Sequence, residues 1–473
     1  MDFKLIDSVD EESVISGHGG GFSFSKNRKR NSALPCRWAC ALPIWKGGMF
    51  EIKAKPKMVE RAVLVGAYCG NDSESEASSL LDELAELVNT LGIPIVARQL
   101  VHHREPHARY LMGSGKAEEV ANLAKESQAD VIIFDNELTP SQQRNWEKLT
   151  GMLVIDRQEV ILDIFAKRAQ TREARLQVDL ARMEYSLPRL VRAWSHLGKQ
   201  GGGIGSKGEG ESQLEQDKRK IRGQIDRLKS ELEAVKRRRA TQRKDRKRAP
   251  VPNAAIVGYT NAGKSSLLRA LTGAQVLVED KLFATLDTTT RKIALPNNQP
   301  LLLTDTVGFV RKLPHGLVEA FNATLEEAVM SDFLIHVLDV SQPEVMEFYE
   351  TTRSVLHELG ADSRRTLIVF NKIDNVSDES VLREMRSRFP EAVFISVKTG
   401  EGLQELVSRI SEFVADDLLT MELHIPQSRA DLIARLHREA DIRHSEYIEN
   451  DVRLRVRITP KAAAAYSAFR VGV

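Results

Sequence analysis

The sequence predicts an α/β multidomain protein, and three observations carry that prediction. From Arg61 onward short apolar runs alternate with amphipathic stretches, the pattern of strands crossing into helices in a layered sheet. Between residues 176 and 235 apolar side chains recur at spacings of three and four, the seams of two long packed helices. Residues 258–265 then read G-Y-T-N-A-G-K-S, which fits the G-x-x-x-x-G-K-[ST] phosphate loop, with an apolar strand at 254–257 and a helical run at 266–271.

These signals divide the chain. Residues 1–57 lack periodicity and read as a disordered leader or an over-extended start, since Met49 and Met58 stand just before the first clear strand. Residues 58–158 form an N-terminal α/β domain and 159–249 a long antiparallel helical hairpin with a glycine-rich tip. A P-loop domain with a mixed, mostly parallel sheet and helices on both faces follows at 250–416, and 417–473 make a small C-terminal α/β domain.

Bulk composition excludes several classes. The 473 residues exceed one ordinary core, and 42% hydrophobic content excludes general disorder. The formal charge of +2 is near zero, so any nucleic-acid contact must rest on local patches. Of Cys36, Cys40 and Cys69 the first two could hold half a zinc site, but with no second pair they read better as incidental thiols, and such sparse use fits a reducing compartment. No stretch approaches the roughly twenty apolar residues of a membrane span, so a cytoplasmic location is expected.

Within the first domain strands are expected at 62–65, 93–97, 131–134 and 153–155, with helices at 74–91 and 116–127. Thr139 followed by Pro140 and Gln142 marks another helix start. Gly113-Ser114-Gly115-Lys116 lacks the full spacing of a nucleotide loop and reads as a plain turn before a helix.

The hairpin's first seam is Leu176, Leu180, Met183, Leu187, Leu190, Trp194 and Leu197; its second is Leu214, Ile221, Ile225, Leu228, Leu232 and Val235. Each helix should run on the order of 50 Å at ~1.5 Å per residue. Pro188 should kink the first, because it has no N–H to bond Glu184. Lys236 to Arg239 and Arg243 to Arg248 form a one-signed run suited to a phosphate backbone. On the last strand Val452, Leu454, Val456 and Ile458 alternate with Arg453, Arg455 and Arg457, a half-buried strand with a basic face that is either solvated or set against RNA.

The phosphate loop says "polyphosphate", and later motifs say which one. The loop residues Gly258, Tyr259, Thr260, Asn261, Ala262, Gly263, Lys264 and Ser265, with Ser266 behind them, cradle phosphates through backbone N–H groups. Lys264 reaches the β and γ phosphates and Ser265 ligates Mg²⁺, the expected cofactor. Asp305, Thr306, Val307 and Gly308 follow an apolar strand at 301–303, placing Asp305 to hold the metal through water and Gly308 to sense the γ-phosphate. Phe283, Ala284 and Thr285 open a threonine-rich switch, with Thr285 the first choice of metal ligand and Thr289 the alternative. The catalytic set is therefore Lys264, Gly308 and Thr285.

Base selection comes from Asn371, Lys372 and Asp374, after a strand at 366–370. A carboxylate at Asp374 accepts from two N–H groups that guanine has and adenine lacks, at about 1.5–3 kcal/mol per charge-assisted bond. Ser396, Val397 and Lys398 supply a backbone N–H to the guanine oxygen. The domain is thus a P-loop GTPase, bound to GTP or GDP. Phe309 stands where signalling GTPases carry a water-orienting glutamine, and a phenyl ring cannot orient water, so intrinsic hydrolysis should be slow.

Together these parts resemble the HflX family of ribosome-associated GTPases, in the TRAFAC class and the Obg-HflX-like superfamily. The resemblance spans about residues 60–473 and rests on the domain order, on F-A-T-L-D from Phe283, and above all on G-G-G-I-G-S-K-G-E-G-E-S-Q-L-E from Gly201. It implies a monomer that binds the large ribosomal subunit when GTP is bound and splits stalled ribosomes under stress, with ribosomal stimulation of hydrolysis. Lys199, Gly201, Gly202, Gly203, Gly205, Lys207, Gly208 and Gly210 would then meet ribosomal RNA near the peptidyl-transferase region. The family usually has G-T-R-G-P-G-E-T-Q where Gly205 to Gln213 reads G-S-K-G-E-G-E-S-Q, and proline at Thr288. Lys207 keeps the charge without an arginine's planar fork. A ribosome-assembly GTPase and a signalling switch acting on a protein effector share most of these features.

Overall fold

The computed structural model describes residues 60–70, 73–190, 209–247, 251–273, 282–283, 285–296, 299–312, 327–361, 363–416, 419–448, 450–458 and 460–471. The leader with Cys36 and Cys40, Ala284, and the hairpin tip with Lys199, Gly201–Gly203, Gly205, Lys207 and Gly208 lie outside them.

The N-terminal sheet contains β1 (Ala62–Cys69), β2 (Ile95–His103), β3 (Val131–Phe134) and β4 (Leu153–Asp156), joined through α1 (Glu74–Leu91), α2 (Ser114–Glu126) and α3 (Pro140–Thr150). The order is β2-β1-β3-β4 and every pairing is parallel. Burial on both sides explains the continuous apolar runs of β1 and β3. Thr139 and Gln142 form a full capping box with Pro140 in the first turn, as the sequence indicates. Gly113 is a plain entry to α2, and Lys116 pairs with Glu119 at 2.7 Å.

Several boundaries differ from expectation, β1 for one running on to Cys69 where the apolar run expected at 62–65 stops. β2 starts at Ile95 and runs to His103, because its alternating half-buried pattern hides a strand that the apolar run at 93–97 only begins. Helix α4 (Arg157–Arg168) starts in the N-terminal domain, so the boundary expected at 158 cuts its first turn. Val160, Ile161, Ile164 and Phe165 of α4 share a core with Leu84, Leu87 and Leu91 of α1.

The helical segment is α5 (Arg172–Ser186) and α6 (Glu209–Lys247). Leu176, Leu180, Ile225 and Leu232 are buried along their seam, flanked by Met183, Leu187, Ile221, Leu228 and Val235, which matches the heptad-like spacing. At Pro188 the α-helical ladder of α5 gives way to a 3₁₀ turn at Leu187–Arg189, because proline has no N–H to bond Glu184; residues 191–208, with Trp194 and Leu197 of the expected seam, lie outside the described residues. The 39 residues of α6 give ~58 Å, longer than expected, and Gly210 belongs to its first turn rather than to the loop.

The third unit has β5 (Asn253–Gly258), α7 (Lys264–Thr272), β6 (Thr289–Ala294), β7 (Pro300–Asp305), β8 (Phe333–Asp339), α8 (Val345–Glu358), β9 (Arg365–Asn371), α9 (Glu379–Arg388), β10 (Val393–Phe394) and α10 (Leu403–Asp416). Its sheet runs β10-β9-β8-β5-β7-β6, parallel except for the β6–β7 pair. Ala254 and Ile256 face one core and Ala255 and Val257 the other, the alternation of a sheet covered on both sides. The second of these cores continues through Phe283, Leu286 and Phe309 into α4 and α1. The first and third units therefore share one hydrophobic interior.

At the C-terminus β11 (Leu419–Pro426), β12 (Asp441–Ile448) and β13 (Asp451–Ile458) form an antiparallel sheet in the order β11-β13-β12, with α11 (Ala430–Glu439) between β11 and β12 and the short α12 (Pro460–Ala463) after β13. Val452, Leu454, Val456 and Ile458 are buried as their alternation requires. The arginines between them have internal partners: Arg453 and Arg455 lie 3.0 and 4.0 Å from Glu422, and Arg457 donates to the Ala415 carbonyl at 2.7 Å.

Candidate guanine-nucleotide site

β5 delivers the chain to the phosphate loop and α7 starts at Lys264, so the loop sits at the helix's positive end. Gly263 has φ +96°, a conformation that disfavours any side chain. Gly308 lies against the same loop: a Cβ there would stand 2.7 Å from Thr260 Cα and 3.0 Å from Lys264 Nζ. The sensor backbone and the phosphate loop are thus in direct contact.

Lys264 Nζ is buried and donates to the Tyr259 carbonyl at 2.7 Å. Burial pulls its pKa down to about 8, opposed by the charge of Asp305. Burial raises the pKa of Asp305 in turn, against the pull of Lys264. Ser265 Oγ donates to Asp305 Oδ2 at 2.6 Å and lies 2.6 Å from Thr285 Oγ1. Asp305 Oδ1 is buried and, among the described residues, has no hydrogen-bond partner. Two hydroxyls and a carboxylate with an unused lone pair suit a hard divalent cation. Thr289 lies in β6 as the ladder partner of Asp305, and it is the Thr285 hydroxyl that reaches Ser265 Oγ, which favours Thr285 among the two threonines.

Asn371 braces the site as expected, donating to the Ala262 carbonyl at 2.9 Å and accepting from the Val397 N–H at 3.1 Å. Ser396 Oγ donates to Asp374 at 2.7 Å and holds its carboxyl below the ordinary range, helped by Lys398 at 3.6 Å. Lys372 Nζ pairs with Asp339 at 2.8 Å. The Ser396 N–H goes to Glu401 O at 3.0 Å and that of Val397 to Asn371, so among the described residues Lys398 keeps the open N–H of this loop. Thr306 serves the fold, its hydroxyl donating to the Ile256 carbonyl at 2.7 Å.

Phe309 points away from the site. Its ring is buried in the shared core, while its backbone bonds Gly258 O at 3.2 Å and Thr260 N at 2.8 Å. The aromatic side chain fills the interior where a polar one would be stranded.

Sequence reasoning missed the contacts that surround Tyr259. Its hydroxyl donates to Glu83 of α1 at 2.7 Å and accepts from the Arg311 N–H at 2.7 Å. Arg311 Nε bonds the other oxygen of Glu83 at 2.9 Å, and Lys312 reaches Asp135 at 2.9 Å. Arg157 lies between the two acids, 2.8 Å from Glu83 and 2.6 Å from Asp135. One signal was available: Glu83 falls on the apolar stripe of α1, three residues after Leu80 and four before Leu87.

This fold and site define a P-loop GTPase. The chain is 52% identical over 413 residues to GTPase HflX of Akkermansia muciniphila, covering 85% of this chain and 94% of the relative. It is 41% identical over 402 residues to GTPase HflX of Escherichia coli K12, covering 84% and 93%. The chain belongs to the HflX family of GTPases and hydrolyses GTP. Family models described as GTP-binding GTPase N-terminal, GTP-binding GTPase Middle Region and 50S ribosome-binding GTPase match residues 78–166, 168–246 and 253–372. A crystal structure of SsGBP with GDP is 26% identical, with a TM-score of 0.43, over 75% of this chain and 98% of that one. Among the described residues no helix is long and apolar enough to cross a membrane.

Proposed function

We propose that this GTPase binds the large ribosomal subunit in its GTP state and splits or rescues stalled ribosomes under stress, acting as a cytoplasmic monomer. The observation that carries the reading is the match of residues 253–372 to a family described as 50S ribosome-binding GTPases. The same chain bears the glycine-rich stretch at Gly201 to Gly210 and the basic run on α6, which supply close backbone approach and positive charge for ribosomal RNA.

At the nucleotide, Lys264 lies where the β and γ phosphates would replace its bond to Tyr259 O, restoring full protonation. The Gly308 N–H meets the γ-phosphate, and Asp374 with the open Lys398 N–H reads guanine. Ser265, Thr285 and, through water, Asp305 would hold Mg²⁺. When bound, that ion neutralises charge on the phosphate oxygens. With Phe309 buried, no side chain of the D-T-V-G-F segment orients the attacking water, so ribosome contact completes the catalytic arrangement.

Sedimentation with whole ribosomes tests the reading. With a non-hydrolysable GTP analogue the protein should travel with large subunits while the whole-ribosome peak falls. With GDP it should stay at the top of the gradient. Binding to immature particles alone would instead indicate an assembly factor, and no binding in any nucleotide state a protein-directed switch.

A further inference from the structure

The loop carrying Thr285 is anchored to the N-terminal half on both sides of that residue. Phe283 packs edge-on against Phe165 of α4, ring centres 4.7 Å apart, with its backbone at φ 54°. Leu282 and Leu286 are buried in the same core as Phe165, Ala174 and Val178. Two residues after Thr285, the Asp287 carboxylate accepts from the N–H of Gln170 at 3.0 Å, the N–H of Thr171 at 3.1 Å and the Thr171 hydroxyl at 2.5 Å. Thr171 is itself the N-cap of α5, whose far side packs on α6.

We propose that Phe283 and Asp287 are positioning residues that hold Thr285 beside Ser265, and that Asp287 makes the start of the helical segment move with the nucleotide-bound state. The physical reason is connectivity. Phe283, Thr285 and Asp287 touch α4, Ser265 and α5 in turn, so Thr285 cannot leave Ser265 without disturbing a buried ring or the cap of α5. A negative charge is also well placed at a helix N-terminus, where N–H groups lack internal partners. The tether favours the Thr285 position that a GTP-bound cation would use and offers nothing to GDP. Nucleotide preference and the state of α5 are then one linked equilibrium. The inference rests on Thr285 as the cation's ligand.

The test compares affinity for a non-hydrolysable GTP analogue and for GDP, with Mg²⁺, in the full-length protein. Asp287→Ala should lower analogue affinity roughly tenfold relative to GDP, the loss of about one charge-assisted bond. Thr171→Ala, 116 positions away and outside the nucleotide site, should act in the same direction more weakly. Hydrogen exchange supplies a second readout: the amides of Gln170 and Thr171 should exchange more slowly with the analogue than with GDP, and Asp287→Ala should erase that difference. An unchanged affinity ratio in both variants, or identical exchange in both nucleotide states of the unmodified protein, overturns the proposal. Thr285→Ala separates the premises: if it leaves the ratio unchanged the cation assignment fails, whereas if it alone lowers the ratio the tether fails.

Discussion

Among the described residues two of the polar contacts that join the N-terminal half to the GTPase domain are built from opposite materials. The Glu83–Arg157–Asp135 cluster with Arg311 is almost wholly buried and consists of formal charges. Asp287 on Gln170 and Thr171 lies at the surface and uses backbone N–H groups with one hydroxyl. A buried charge cluster resists opening, because each member left behind lacks both partner and water. A solvated cap opens at small cost, since water replaces each bond. The first contact therefore serves as a fixed joint and the second as the part free to respond to nucleotide.

The largest effect should come from breaking the joint. Arg311→Ala takes one of the two guanidiniums from the buried Glu83 while Arg157 stays, and should lose about 2–3 kcal/mol in urea unfolding. Because the cluster is enclosed, that loss should be nearly the same at about 0.05 M and about 0.5 M salt. A loss below about 1 kcal/mol would mean that the cluster opens to water, and the contrast with Asp287 would disappear.

Thr171→Ala probes the solvated contact and should cost about 1 kcal/mol, the usual scale of a helix cap. A loss matching that of Arg311→Ala would place both contacts in one rigid interface.

The smallest effect concerns pH. Lys264 has its pKa lowered to about 8 in the free protein, while bound phosphates would stabilise its charged form. Binding must then take up a proton above that pH, so GDP affinity should decline as pH rises through about 8. Calorimetry of GDP binding near pH 8.5 in two buffers of different ionisation enthalpy reads the uptake directly. No proton uptake would show that Lys264 stays charged without nucleotide.

The nucleotide site could be read from the chain because its parts are short, local and ordered. Gly258 to Ser265, Asp305 to Gly308, Asn371 to Asp374 and Ser396 to Lys398 each follow a strand, and a parallel sheet brings such strand ends to one edge. The choice between Thr285 and Thr289 was different. Both residues fit the spacing, and only the folded chain shows the Thr285 hydroxyl 2.6 Å from Ser265 Oγ while Thr289 belongs to the β6 ladder.

By itself the sequence determined the order of the units, the GTP site and the seam between α5 and α6, because apolar periodicity and contiguous motifs are properties of neighbouring residues. The tertiary structure alone decided that the N-terminal and GTPase units share an interior, that α5 passes into a 3₁₀ turn at Pro188, and that Glu83 and Thr171 reach the loops around the site. Glu83 meets Arg311 across 228 positions and Thr171 meets Asp287 across 116, separations at which no local pattern records a contact. Such pairs exist only once two separately patterned units have closed on each other and removed the water between them.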